Sequence, residues 1–215
     1  MATITGPLVS LRARGTIGKT ATFSSWRGVG YVRTRVVPAN PRTTNQVSQR
    51  TLFSWLMSAW KQGASQLQES WTFFAKGMPF TDRNAWAKQN VLAIGYAATD
   101  NLALVFSSGA GGGLPPASAT FTAGANSITI VPTIPAVPNG WSLMTAYAAV
   151  MLKENPQVLP ATPIIGGDNA VSPYHIVFSG LTTAAEYVCG VWLIWQKPNS
   201  DFAYSVAVTG TATPT

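Results

Sequence analysis

About halfway along the chain the spacing of apolar residues changes. From about Asn45 to Ile94 they recur at intervals of three and four, the period of a helix that buries one face. After residues 107–118, SSGAGGGLPPAS, every segment instead reads as a short strand. SITIVPTI, SLMTAYAAVML, YHIVFSGL, EYVCGVWLIWQ and FAYSVAVTGTA are rich in Val, Ile, Thr and aromatics, with Pro, Gly and Asn clusters between them. One periodicity cannot serve both halves. The expectation is an α+β protein in two parts: a module of strands then helices over 1–108, a Gly/Pro linker over 109–116, and an antiparallel β-sandwich over 117–215.

The helical half has readable punctuation. Pro38 and Pro41 interrupt pairing, and Thr43, Thr44 or Asn45 can then cap a helix that runs from about Asn45 to Lys61. Leu52, Leu56 and Trp60 share a stripe, with Phe53, Met57 and Ala64 beside it; Leu67, Trp71 and Phe74 continue the spacing, and Gly63 is a natural division. A further helix starts at Thr81 or Asp82 and carries Trp86, Asn90 or Val91, and Ile94 on one side. Trp60, Trp71 and Trp86 are expected in the core, while Trp55 does not share a stripe well with Trp60. Trp192 and Trp195 fall on opposite faces of one strand, which leaves one of them free to lie outward.

The N-terminal segment is distinguished by charge. Residues 11–50 hold Arg12, Arg14, Lys19, Arg27, Arg33, Arg35, Arg42 and Arg50 and no acid. Up to Lys88 twelve Lys or Arg stand against Glu69 and Asp82; beyond it Lys153 and Lys197 stand against five acids. GYVRTRVVP reads as a strand with Tyr31, Arg33 and Arg35 on one face and Val32, Thr34 and Val36 on the other. Unbalanced cations repel one another until something neutralises them. An acidic protein surface suits arginine, whose planar guanidinium pairs with carboxylates in two-point fashion, and seven of the eight cations are arginine. Nonspecific contact with DNA is the rival, since no motif for reading bases accompanies the arm. The expected contact residues are Arg12, Arg14, Lys19, Trp26, Arg27, Tyr31, Arg33, Arg35 and Arg42.

Charged residues make up only 10% of the chain, against about a quarter in an average globular protein, a balance that suits a subunit covered by neighbours. Signals for chemistry are weak. The single His175 has no motif for a triad around it, and the single Cys189 lies in the apolar run YVCGVWLIW as a structural thiol would. GAGGG is followed by prolines where a phosphate loop needs Lys-Ser or Lys-Thr and a helix. TIGKT lacks the leading glycine of such a loop. The expectation is a protein that is not an enzyme, holds no cofactor or metal, crosses no membrane, and is made in a reducing cytoplasm.

Two resemblances carry this further. Residues 114–214 resemble a fibronectin type III-like or immunoglobulin-like sandwich, with Gly180, Leu181, Thr182, Thr183 and Tyr187 matching the loop that leads into a strand with a buried tyrosine. The family's buried strand-B tryptophan has no counterpart here unless Trp141 supplies it. Residues 11–101 resemble a family of proteins from tailed bacteriophages and prophages, through Gly15, Ile17, Gly18, Lys19, Phe23, Trp26, Arg27, Gly28, Tyr31, Val32, Arg33, Arg35, Val36, Pro38, Asn40, Pro41, Thr43, Gln46, Arg50, Phe53 and Trp60. That likeness implies a structural protein of a virion, assembled in the host cytoplasm. The reading is a head decoration or minor capsid protein that meets other virion proteins and further copies of itself. A tail, collar or fibre-adaptor protein, or a module binding glycans or a cell surface, is the alternative.

Overall fold

The computed structural model describes residues 15–26, 29–37, 39–95, 98–158 and 161–215, with only the backbone described at Trp26 and Val29. The chain is mixed α+β and divides into two compact units, Met1–Arg42 and Thr43–Thr215.

In the first unit three strands form an antiparallel sheet in the order β1 (Gly15–Ile17), β2 (Ala21–Trp26), β3 (Val29–Thr34). Phe23 stands opposite both Gly15 and Val32, and Thr22 stands opposite both Thr16 and Arg33. Beyond the end of β3 the Arg35 N–H still donates to the Thr20 carbonyl at 2.8 Å, so the pairing continues one step.

The second unit opens with three helices: α1 (Thr44–Lys61), α2 (Ser65–Ala75) and α3 (Asp82–Ile94). α1 and α2 are separate because the chain turns at residues 62–64, where glycine weakens a continuous helix. Thr81 caps α3 by accepting the Asn84 N–H at 3.3 Å. The buried stripe of α1 is Leu52, Trp55, Leu56 and Ala59. Trp55 is therefore the tryptophan of this helix in the core, and Trp60 packs beside it half-buried, the reverse of the expectation.

The sandwich follows. One sheet has the order β4 (Ser118–Gly124), β5 (Ser127–Thr133), β8 (Ile176–Ser179). The other joins β7 (Ile165–Asn169), β6 (Ser142–Leu152) and β9 (Tyr187–Gln196) to a last edge made of β10 (Phe202–Tyr204) and β11 (Val208–Ala212). All strand pairs are antiparallel. This is the sandwich class expected. Tyr187 at the start of β9 is buried, as expected of that strand's tyrosine, and its hydroxyl accepts the Thr182 N–H at 3.0 Å. Trp141, just before β6, meets Trp195 edge-on at 6.5 Å.

The helices cover the outer face of the larger sheet, so the second unit has three layers and two cores. Ala149, Met151, Val188, Trp192 and Ile194 face the helices and pack with Leu52, Trp55, Leu67, Trp71 and Trp86. Ala146, Ala148, Val150, Cys189, Val191, Leu193 and Trp195 face the small sheet and pack with Ile128, Ile130 and Phe178. β6 and β9 are thus buried on both sides, which is why YVCGVWLIW reads as an unbroken apolar run. Trp192 and Trp195 do point to opposite faces, yet both are fully buried; the outward tryptophan allowed by the sequence does not exist, because helices occupy that face.

The glycine run behaves differently from a linker. The Ser108 hydroxyl donates to the Ser70 carbonyl of α2 at 2.7 Å, and the Ser107 hydroxyl to the Ser205 carbonyl at 2.6 Å. The Tyr204 N–H donates to Ala110, and the Trp195 indole to Leu114, at 2.7 and 2.8 Å. Gly113 bridges Ser205 so closely that a side chain there would strike the Tyr204–Ser205 backbone. The run stitches helices to strands, and the compact units divide at Arg42 and Thr43 instead of at residues 109–116.

Candidate interaction surface

The three-stranded sheet has two unlike faces, set by its register. Tyr31 and Arg33 share one with Thr16, Thr22 and Ser24, and Arg35 extends it past the end of β3. The Thr16 and Thr22 hydroxyls lie 3.3 Å apart across the strands. Ile17, Ala21, Phe23, Val32 and Thr34 share the other face. One face is cationic and hydroxyl-bearing and the opposite one apolar, as the alternation in GYVRTRVVP requires.

Among the described residues from Gly15 to Arg42 not one is buried. Val32 is 59% exposed, and Val36 and Val37 are exposed still further. With no buried residue among those described, the sheet draws little stability from its own apolar face.

Of the residues expected to make contacts, Tyr31, Arg33 and Arg35 are brought together. Lys19 lies exposed in the turn between β1 and β2. Arg42 is exposed at the end of the first unit in the left-handed region, φ 49°. Trp26 is the last residue of β2, paired with Val29. Arg12, Arg14 and Arg27, and the side chain of Trp26, lie outside the described residues.

The acids tell the complementary story. All seven carboxylates in the chain already hold an internal partner. Glu69 accepts the Tyr147 and Tyr204 hydroxyls at 2.8 and 2.9 Å. Glu154 accepts the Trp55 indole N–H at 2.9 Å and the Thr162 N–H at 3.0 Å. Asp82 accepts Thr72 and Arg83, and Asp100 accepts Leu102. Asp168 accepts Gln66, and Asp201 accepts Asn199. Glu186 is paired with Lys153 at 2.8 Å, and that hydrogen bond holds the carboxyl below its ordinary range and the ammonium above its own.

Three further titratable groups are set by burial. Burial pushes the Cys189 thiol up to about 12, so it stays protonated and unreactive. Burial, then the hydrogen bonds to Glu69, raise the Tyr147 and Tyr204 phenols well above their usual range. His175 is exposed at the start of the approach to β8. Among the described residues no three His, Cys, Asp or Glu side chains gather as a metal would need, and no helix is long and apolar enough to cross a membrane.

The sequence pointed to the arm but missed the two carboxylate clasps. Glu69 and Glu154 are ordinary acids in the linear chain, and their partners are distant in sequence.

A sheet with one cationic and one apolar face thus precedes a helix-covered sandwich in the chain. Residues 13–135 match DUF6266, a family of unknown function, and the chain belongs to that family. The match runs through the glycine stretch and ends just past β5, inside the sandwich. No curated protein matches the chain.

Proposed function

We propose that this chain is a structural protein of a bacteriophage virion, a head decoration or minor capsid protein. Its basic arm fastens it to neighbouring subunits. The observation that carries the reading is the bare sheet of the first unit, where Phe23, Val32 and Tyr31 belong to a surface with no buried residue among those described. Such a sheet gains stability when a partner covers its apolar face and supplies acid to Arg33 and Arg35. Because the chain is itself net basic, at +7, the acid comes from a different protein. Tyr31 and Trp26 serve as aromatic anchors and the arginines as charge-assisted donors. The phage assignment itself rests on the resemblance of residues 11–101.

Fractionating particles from a host that carries the gene tests the proposal. The chain should travel with DNA-emptied heads. Recovery with purified tails supports the collar or fibre-adaptor alternative, and absence from every particle fraction overturns the virion assignment. Binding of a glycan by the full chain, with none to any particle protein, favours the adhesin reading.

A further inference from the structure

The helices of the second unit carry a surface of their own. Between the outward sides of α1 and α3 lie two adjoining hollows of about 480 and 320 Å³ that share Phe53 and Val91. Phe53 is 50% exposed and Leu92 71% exposed, although the same two helices bury Leu52, Leu56 and Trp86 completely. The lining recurs with helical spacing on both sides: Gln46, Gln49 and Phe53 on α1, Ala87, Val91 and Leu92 on α3. Lys88 and Arg50 also line it, and no carboxylate does among the described residues. α1 contains no acid, and Asp82, the one acid of α3, is engaged by Thr72 and Arg83.

We infer that this groove docks an acidic amphipathic helix belonging to another protein. A groove between two helices accepts the apolar face of a third, whose side chains repeat at the same rise per turn. Charge decides whose helix it is. The chain's own residues 1–14 carry Arg12 and Arg14 and no acid, so they match the groove in sign and are repelled. A second copy carries the same net charge of +7 and has no acid on α1 and one on α3, so its own helices are a poor match in sign. An occupant with Glu or Asp flanking its apolar stripe meets Lys88 directly and covers Phe53 and Leu92.

The test uses the full chain and a synthetic helical peptide of about five turns, with Leu along one stripe and Glu flanking it. A second peptide has Lys at every Glu position. Fluorescence anisotropy should show the acidic peptide binding and the basic one failing. Leu92→Glu and Lys88→Glu, both at exposed positions, should each weaken binding by about tenfold or more while leaving the melting temperature unchanged. The arm variant R33E/R35E should bind the peptide like the parent, which separates this site from the arm. Equal binding of both peptides, unchanged binding by Leu92→Glu and Lys88→Glu, or no binding at all would overturn the inference. So would sedimentation showing that the groove is covered by a second copy, with dimers lost in Leu92→Glu.

Discussion

The Trp55 indole N–H on α1 donates to the Glu154 carboxylate beyond β6 at 2.9 Å, joining residues 99 positions apart in sequence. Glu154 in turn accepts the Thr162 N–H, and its own N–H donates to the side chain of Asn101. Through its carboxylate Glu154 therefore fastens a helix to the loop after β6, and through its backbone N–H it holds the loop after α3. Replacing Glu154 with Ala leaves the indole of a fully buried tryptophan without its acceptor. The expected loss is about 1–3 kcal/mol in urea unfolding. An unchanged midpoint would show that the clasp contributes little.

The shared core makes a stronger claim about cooperativity. Trp192, Met151 and Ile194 face the helices. Residues 43–215 should therefore unfold in one transition when followed by tryptophan fluorescence and by circular dichroism together. Residues 117–215 alone, which the sequence presents as a domain, should bind a hydrophobic dye and aggregate. A well-behaved monomeric fragment of that length would refute the layered core.

Gly190 tests the packing at one point. The Phe106 ring lies directly against it on β9, and a Cβ there would overlap the ring. Gly190→Ala should destabilise the protein by roughly 1–3 kcal/mol, the usual cost of overpacking a dense interior. Phe106→Leu in the same chain should recover part of that loss. Independent, additive effects would mean that the contact is not the cause.

Alkaline pH should weaken the fold through Cys189. Its thiol ionises near 9 when exposed and near 12 when folded. The folded value is the higher one, so the contribution to stability is complete below pH 9 and is lost as pH rises toward 12. Tyr147 and Tyr204 act in the same direction at still higher pH. The melting temperature of Cys189→Ala should fall less steeply than that of the parent between pH 9 and 11, and native Cys189 should resist a thiol reagent that modifies it in denaturant. Rapid native modification would contradict the burial.

These results show which physical signals a linear chain carries. Local periodicity was legible: the stripe through Leu52 and Leu56, the break near Gly63, the Thr81 cap and the two faces of GYVRTRVVP all follow from residues a few positions apart. The tyrosine of Tyr187 was legible for the same reason, since its partner Thr182 is close in sequence. What local spacing could not show was the layer added to the sandwich. A strand covered on both faces and one covered on a single face differ only in what arrives from elsewhere, so Trp192 looked free to point outward. The glycine run misled similarly. Its glycines reflect tight backbone approach at Gly113, which composition does not distinguish from flexibility. In the interaction surface, the cations were visible as a cluster, while the engagement of Glu69, Asp168 and Glu186, and of Glu154 by Trp55, depended on partners distant in sequence.

The central claim is that an acidic partner completes the arm. Incorporation of the double variant R33E/R35E into particles, measured against the parent by quantitative immunoblotting of purified fractions, tests it most directly. The account predicts that the variant is lost from particles while residues 43–215 melt at the parental temperature. Parental levels of the variant in the particles would contradict it.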